Sequence, residues 1–379
     1  MKGSTRERNR DLLKRTVSMA TVAILCGSVL TARASAQAAG VTPGGPVAIS
    51  GYTISEWVGP STAYSHPDSV VDDGTYVWVG YQNVTAKDGS DNKTSTVVQY
   101  SETGTVVKTF TVPGHNDGLR IDPTTHLVWA SSNEDGNPAL VTINPATGAV
   151  TPYTFPSPTP HGGGYDDMAF ANVGAYIAAS NPTLNSSGVN TSTALYKIVL
   201  SGGQALLAPV LPGNGTALDT TTNAQVTLNE VDPDSMRVDP QGDVVLDNQA
   251  GSELVFVHNI STAQQTVTRV PVGTQIDDFV WATSAGGRLL IVDGSANTIY
   301  QMTGAFVPNT VFVEAPSDSG VAGFVGTLDL TTGTITPIAV GFGSPTGLEF
   351  GPSVTYAGIP LSATLAPSGP PRTRAVARF

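Results

Sequence analysis

A single cysteine, Cys26, occurs in the 379 residues, and it lies in an apolar run near the N-terminus. No disulfide framework is available, so a stable fold has to rest on a buried core. Basic residues are also scarce: 18 Lys and Arg stand against 30 Asp and Glu. Seven of the 18 and two of the 30 fall in the first 36 residues, leaving 11 against 28, or −17, for the rest. Three of those 11 (Arg372, Arg374 and Arg378) crowd at the C-terminus, so the body carries eight. So acidic a surface repels phosphate backbones and argues against nucleic acid as a partner. Helical periodicity is nearly missing, and no stretch beyond the N-terminal run is apolar enough to span a membrane. There is no Gly-x-Ser-x-Gly elbow, no His-Glu-x-x-His pair and no cysteine nucleophile outside the N-terminal run. These gaps exclude several common hydrolase designs.

What is present begins with an export signal over residues 1–36. A basic start (Lys2, Arg6, Arg8, Arg10, Lys14, Arg15) precedes an apolar run from Val17 to Leu30, and Ala34-Ser35-Ala36 supplies a cleavage site. The mature chain then starts at Gln37 and is secreted or periplasmic, with no membrane span after processing. Residues 37–46 read as a linker, 47–357 as one domain, and 358–379 as a disordered tail that is rich in Pro, Ser and Ala and then basic.

Within the domain a unit repeats. Asp68-Ser69-Val70, Asp117-Gly118-Leu119, Asp166-Asp167-Met168, Asp234-Ser235-Met236 and Asp277-Asp278-Phe279 each open a short apolar run. In a sixth copy, Thr346-Gly347-Leu348, threonine replaces the acid. A turn and a second apolar run follow, as in Asp73-Gly74 and then Tyr76–Tyr81, or Gly286-Gly287 and then Leu289–Asp293. A second hairpin completes most copies, with Thr-Gly turns such as Val97–Val107 and Val325–Ile335. Two hairpins make four antiparallel strands, and six starts predict an all-β, six-bladed β-propeller. The starts are 49, 49, 68, 43 and 69 residues apart, so the two long intervals should carry insertions: Asn181–Val189 with Pro212–Asn229, and Ala305–Gly320. Too little chain follows Thr346 for four strands, and Val47–Trp57 can supply the missing outer strands and close the ring with both termini.

The stretch Pro233-Asp-Ser-Met-Arg-Val-Asp-Pro-Gln-Gly-Asp-Val-Val-Leu246 resembles the NHL-repeat and SMP-30/gluconolactonase-like six-bladed propellers, and the pattern covers roughly residues 50–350. The resemblance implies that architecture. In its gluconolactonase branch it implies one divalent metal at the tunnel mouth, held by a Glu, an Asn and an Asp. Asn116, in His115-Asn116-Asp117-Gly118, stands in a matching context, but the early Glu-Gly-Pro blade start is missing.

Equivalent positions in a radial array converge, so Asp68, Asp117, Asp166, Asp234 and Asp277 are expected to ring one mouth of the tunnel as metal ligands. Aspartate at a strand start also forms turns by itself. Two residues upstream stand His66, His115 and Asp232, and His161 precedes the third copy. His66 and His115 are candidate catalytic bases; His161, Asn116 and Asp232 are candidate ligand-binding residues. Oxygen ligands would favour Ca²⁺, histidine ligation Zn²⁺ or Mn²⁺. A small molecule or peptide is the expected partner, and a monomer the expected state. The alternatives are a metal-dependent hydrolase or lactonase, and a protein–protein scaffold. Asp72, Asp122 and Asp239 read as turn formers at the opposite face, Arg120 and Arg237 as inter-blade ion pairs, and Trp78, Trp129 and Trp281 as packing between blades. Six Asn-x-Ser/Thr sequons (Asn83, Asn92, Asn185, Asn190, Asn214, Asn259) are expected on surface loops.

Overall fold

The structure is a computed structural model that describes residues 45–49, 51–171, 173–317 and 322–352. The expected signal, the tail, Cys26 and nearly all of the linker lie outside the described residues. The compact unit containing the repeats begins at Pro46. Among the described residues every regular element is a strand, and nearly all pairings are antiparallel.

The first copy forms one sheet from Pro67–Asp72, Tyr76–Tyr81, Thr94–Ser101 and Val106–Pro113, paired in that order. The second runs Asn116–Ile121, Val128–Ser132, Ala139–Ile143, Val150–Thr154, and the third Met168–Ala171, Gly174–Ala178, Thr193–Ser201, Gln204–Pro212. One parallel pair, Thr154 with Gln204, joins these two sheets at their outer edges. The fourth, Pro233–Val238, Val244–Asn248, Glu253–His258 and Thr266–Pro271, is widened by a hairpin, Thr216–Asp219 with Ala224–Thr227. That hairpin occupies the expected insertion at Pro212–Asn229.

The fifth and sixth copies depart from expectation. Phe279–Trp281 pairs with Val311–Ala315, not with Arg288–Asp293. Arg288–Asp293 belongs to the last sheet, between Pro345–Gly351 and Thr298–Gly304. The chain therefore leaves the fifth sheet after one strand, builds two strands of the sixth, and returns to lay down Val311–Ala315, Gly323–Asp329 and Thr334–Phe342. The long interval is thus an exchange of strands, and Val311–Ala315 is a core strand inside what reads as an insertion. The two rival runs, Leu-Leu-Ile-Val and Val-Phe-Val, are apolar and about equally long. Local pattern cannot say which one pairs with Phe279–Trp281. Tyr52–Val58 is the outer strand of the sixth sheet, the place expected for it, and Val47–Ala48 adds to the edge of the fifth.

Apolar residues on facing sheets form six clusters, each shared by two successive copies. Trp78, Val97 and Phe110 pack on Leu119, Ala130 and Ile143, for example, and Leu290, Val292 and Ile299 of the sixth sheet pack on Val70, Val79 and Tyr100 of the first. Trp129 and Trp281 sit in two further clusters, so the tryptophans do pack between sheets. Trp78 is fully buried, lies 5.6 Å from the Phe110 ring and donates Nε1–H to Asp73 at 3.1 Å, so its polar atom is satisfied. Each fully buried side chain of this size contributes roughly 2–3 kcal/mol, which is how a chain without disulfides holds together. The first strands also touch one another in sequence, and Pro345–Gly351 touches Pro67–Asp72.

Candidate functional site: an acidic mouth

The first strand of a unit opens on a β-bulge. Register slips between Pro67 and Val70, between Asn116 and Leu119, and between Pro233 and Met236, so the two residues Asp68-Ser69, Asp117-Gly118 or Asp234-Ser235 lie across from one. In the third and fifth units a single residue, Ala178 or Glu314, bonds to both members of the doublet Asp166-Asp167 or Asp277-Asp278. A bulge re-aims side chains at a strand end. Here it turns the first acid of each unit into a common cavity of about 260 Å³, lined by Asp68, Asp117, Asp166, Asp234, Asp277 and Thr346 among others. All five expected ring acids, and the threonine that breaks the ring, converge there.

Burial and, after it, neighbouring carboxylates push all five acids well above the usual carboxylate range. Their hydrogen-bond partners are mainly side chains. Gln82 donates to Asp117 at 3.1 Å, Gln249 donates to Asp277, and Ser69 donates to Asp68 at 3.4 Å. By contrast, the opposite-face acids are turn formers, as expected: Asp72 accepts from Gly74, Asp122 from Thr124, and Asp239 from Gln241 and Asp243.

On one side of the mouth the donors to a cation are most complete. His115, Asp117 and Glu134 each bring a ligand atom within 4.8 Å of the others. His115 is 7% exposed and Asp117 6%. The His115 Nδ1 lies 2.8 Å from Thr85 Oγ1 and 2.9 Å from the Thr85 carbonyl oxygen. Thr85 gives its own hydroxyl proton to the Gln82 carbonyl at 2.7 Å. Both atoms facing Nδ1 are therefore acceptors, and Nδ1 must carry the proton. Burial holds the imidazole below its ordinary pKa, hence neutral, which leaves a lone pair on Nε2. That atom is buried without a hydrogen-bond partner and sits 3.4 Å from Asp117 Oδ1, another acceptor. Asp117 Oδ2 is likewise buried and unpartnered.

The remaining predicted site residues are placed as follows. His66 is exposed, adopts φ 55°, bonds Ser65 and does not line the cavity. Asn116 is fully buried and spends its amide on the Gly118 and Ser131 carbonyls at 3.2 and 2.6 Å. His161 is a core residue: Nε2–H donates to the Gly164 carbonyl at 2.6 Å, and the ring packs edge-on to Tyr165. Asp232 is half-buried behind the mouth, and burial followed by Glu134 raises its pKa to about 6. Gly162-Gly163-Gly164 reads from sequence as a flexible connection. Instead it allows close approach, since a Cβ on Gly164 would sit 1.9 Å from the Asn133 carbonyl oxygen. Among the sequons, Asn190 is fully buried and donates to Glu230, so it is not on a surface loop.

Sequence reasoning missed Glu134, Lys87, Thr85, Gln82 and Gln249. All follow a second strand, whose end returns to the face where the first strand began. Lys87 forms an ion pair with Glu134, and Arg120 also lines the cavity.

No family model matches the sequence, and no curated protein matches it. Among solved structures, the chain is similar to a Bacteroides caccae protein of unknown function (TM-score 0.45, 11% identity, covering 76% of this chain and 87% of that one). It is similar to the periplasmic gluconolactonase of Pseudomonas aeruginosa (TM-score 0.42, 12% identity, 75% and 88% covered). It is also similar to virginiamycin B lyase of Staphylococcus aureus (TM-score 0.38, 10% identity, 66% and 99% covered). Likeness at this level assigns no reaction.

Proposed function

We propose that this is an exported, monomeric six-bladed β-propeller whose ring is closed by its terminal strands, and that its acidic mouth binds a divalent cation and, beside it, a small molecule or peptide. The six shared apolar clusters and the contact between the last and first innermost strands support the closed ring. The basic and apolar N-terminal segment supports export.

The observation that carries the cation is the His115 Nε2 lone pair, which is buried without a hydrogen-bond donor and lies 3.4 Å from Asp117 Oδ1. Two buried acceptors in contact are repulsive unless a proton or a cation joins them, and a cation also engages the unpartnered Asp117 Oδ2. Glu134 completes a nitrogen-and-oxygen donor set, and an imidazole donor suits Zn²⁺ or Mn²⁺ better than Ca²⁺. The half-buried Thr85 acceptors hold the ring in the ligating tautomer, as carbonyls behind a metal-binding imidazole commonly do. His115, read from sequence as a catalytic base, is therefore better suited to be a ligand. Metal analysis after exhaustive dialysis, with thermal shifts on adding Zn²⁺, Mn²⁺ and Ca²⁺, tests this. No stoichiometric metal and no shift with any of the three would end the cation reading.

A second reading, a metal-dependent lactonase or esterase, is favoured by the raised pKa of Asp166 and Asp234 in the same cavity. A carboxylate so placed can take a proton from water, while a bound metal would supply Lewis acidity. A lactone and ester panel on wild type, Asp117→Ala and Asp166→Asn separates the two readings. Activity lost in both variants supports the enzyme, and no activity in any protein leaves binding.

A further inference from the structure

The body of the chain has few cations to place near the mouth, and nearly all are committed elsewhere. Arg120, which also lines the cavity, and Arg237 are buried and committed to ion pairs with Asp167 and Asp278. Arg269 bridges Asp219 and Glu253, and Arg288 holds Asp72 and Glu102. Lys93 pairs with Asp91, Lys197 donates to the Val173 carbonyl, and Lys108 lies 5.1 Å from the Phe110 ring. Lys87 remains. Its side chain is 61% exposed, yet its ammonium lines the acidic cavity and pairs with Glu134, which is only 13% exposed.

The segment that carries Lys87 is firmly held while its side chain is largely exposed. Asp135 N–H donates to the Lys87 carbonyl at 3.2 Å, Asn137 donates to the Asp88 carbonyl at 2.9 Å, and Ala86 N–H donates to Asp91 at 3.0 Å. Two residues before Lys87, Thr85 clamps His115. Just before that, Val84 sits at φ 61° while 68% exposed. A β-branched residue in the left-handed region is strained, so this short stretch is kept in an unfavourable shape that delivers both Thr85 and Lys87 to the mouth.

Glu134 thus has two suitors. It is one of three groups whose ligand atoms converge on a common point with His115 Nε2 and Asp117, and it is the ion-pair partner of Lys87. A divalent ion held by Glu134 and an ammonium on the same carboxylate repel each other. We propose that Lys87 is a tethered counter-ion: its ammonium neutralises the mouth in the metal-free protein and is expelled into solvent when a divalent cation binds, so that it sets how tightly the cation is held. The inference rests on the cation reading above and concerns the regulation of that site.

The effect should be large enough to read. Even at the dielectric of bulk water, a unit charge roughly 6 Å from a divalent ion changes a dissociation constant about tenfold. The experiment is calorimetric titration of the metal-free full chain with Mn²⁺ and with Zn²⁺, comparing wild type, Lys87→Met and Lys87→Arg. Thermal unfolding in chelator serves as the folding check for each. Lys87→Met should bind about tenfold tighter or more, and Lys87→Arg should stay near wild type. Wild type binding while Lys87→Met binds equally or more weakly would overturn the counter-ion role and leave the cation site standing. No binding by any of the three proteins would overturn the cation reading, and the counter-ion with it.

Discussion

Two consecutive aspartates, Asp166 and Asp167, have opposite fates, and so do Asp277 and Asp278. The first of each pair faces the mouth, where no arginine binds it. The second also lines the cavity but is tied down by an arginine. Asp167 binds Arg120 and accepts the Met236 N–H at 3.1 Å, and Asp278 binds Arg237 at 2.7 Å while accepting the Phe279 and Leu348 amides. Each arginine also reaches a carbonyl one sheet further on, Met236 for Arg120 and Leu348 for Arg237, so each links three successive sheets. The lower layer is a structural girdle in which every charge has an opposite. The upper layer is a set of acids with too few partners. Adjacent residues of one type can serve either end, because only the second acid of each doublet comes within reach of an arginine.

The largest effect is expected in the lower layer. Arg237→Met strands Asp278 and Glu349 without their partner and should cost about 3–5 kcal/mol in denaturant unfolding. A loss below about 1 kcal/mol would remove the girdle from the account. Next in size, Thr85→Val removes one of two acceptors that fix the His115 tautomer. Cation affinity should fall about tenfold with the thermal midpoint in chelator little changed. Unaltered affinity would mean that the carbonyl alone orients the ring.

The upper layer should respond with the opposite sign. Asp277→Asn relieves carboxylate repulsion and should stabilise the metal-free protein by about 1 kcal/mol at neutral pH, whereas a surface-turn control such as Asp329→Asn should not. The pH profile follows from the same cause. The mouth acids and Asp232 have folded-state pKa values raised above their unfolded values, so the folded state retains protons that the unfolded state has lost. Their stabilising contribution is complete below the ordinary 3.8 and is lost as pH rises, through about 6 for Asp232 and beyond for the mouth acids. Metal-free protein should therefore weaken as pH climbs through this range, and saturating cation should flatten the slope. The smallest effect is expected from Thr346→Asp, which completes the ring. It should lower metal-free stability by a few tenths of a kcal/mol to about 1, with the change vanishing in excess cation.

Much of this was legible in the chain before folding. The period-two runs, the turn glycines and the aspartate that opens five of the six copies place the acids on one face, and the turn roles of Asp72, Asp122 and Asp239 follow from local bonding alone. His66 and His115 look alike in sequence, each two residues before a ring acid. They part because a loop from the first sheet covers His115 with Thr85, while nothing buries His66.

Strand periodicity and turn chemistry act over a few residues, and so the chain alone specifies repeated hairpins without disulfides and a line of acids that a radial arrangement must gather. Tertiary structure alone decided three things. Arg288–Asp293 went to the sixth sheet and Val311–Ala315 to the fifth, since equal apolar runs are sorted only by packing. Glu134 and Lys87 came to stand beside Asp117. The Thr85 acceptors fixed which nitrogen of His115 keeps its lone pair. Each depends on groups far apart in the chain meeting in a place from which water is excluded, and no local pattern encodes such a meeting.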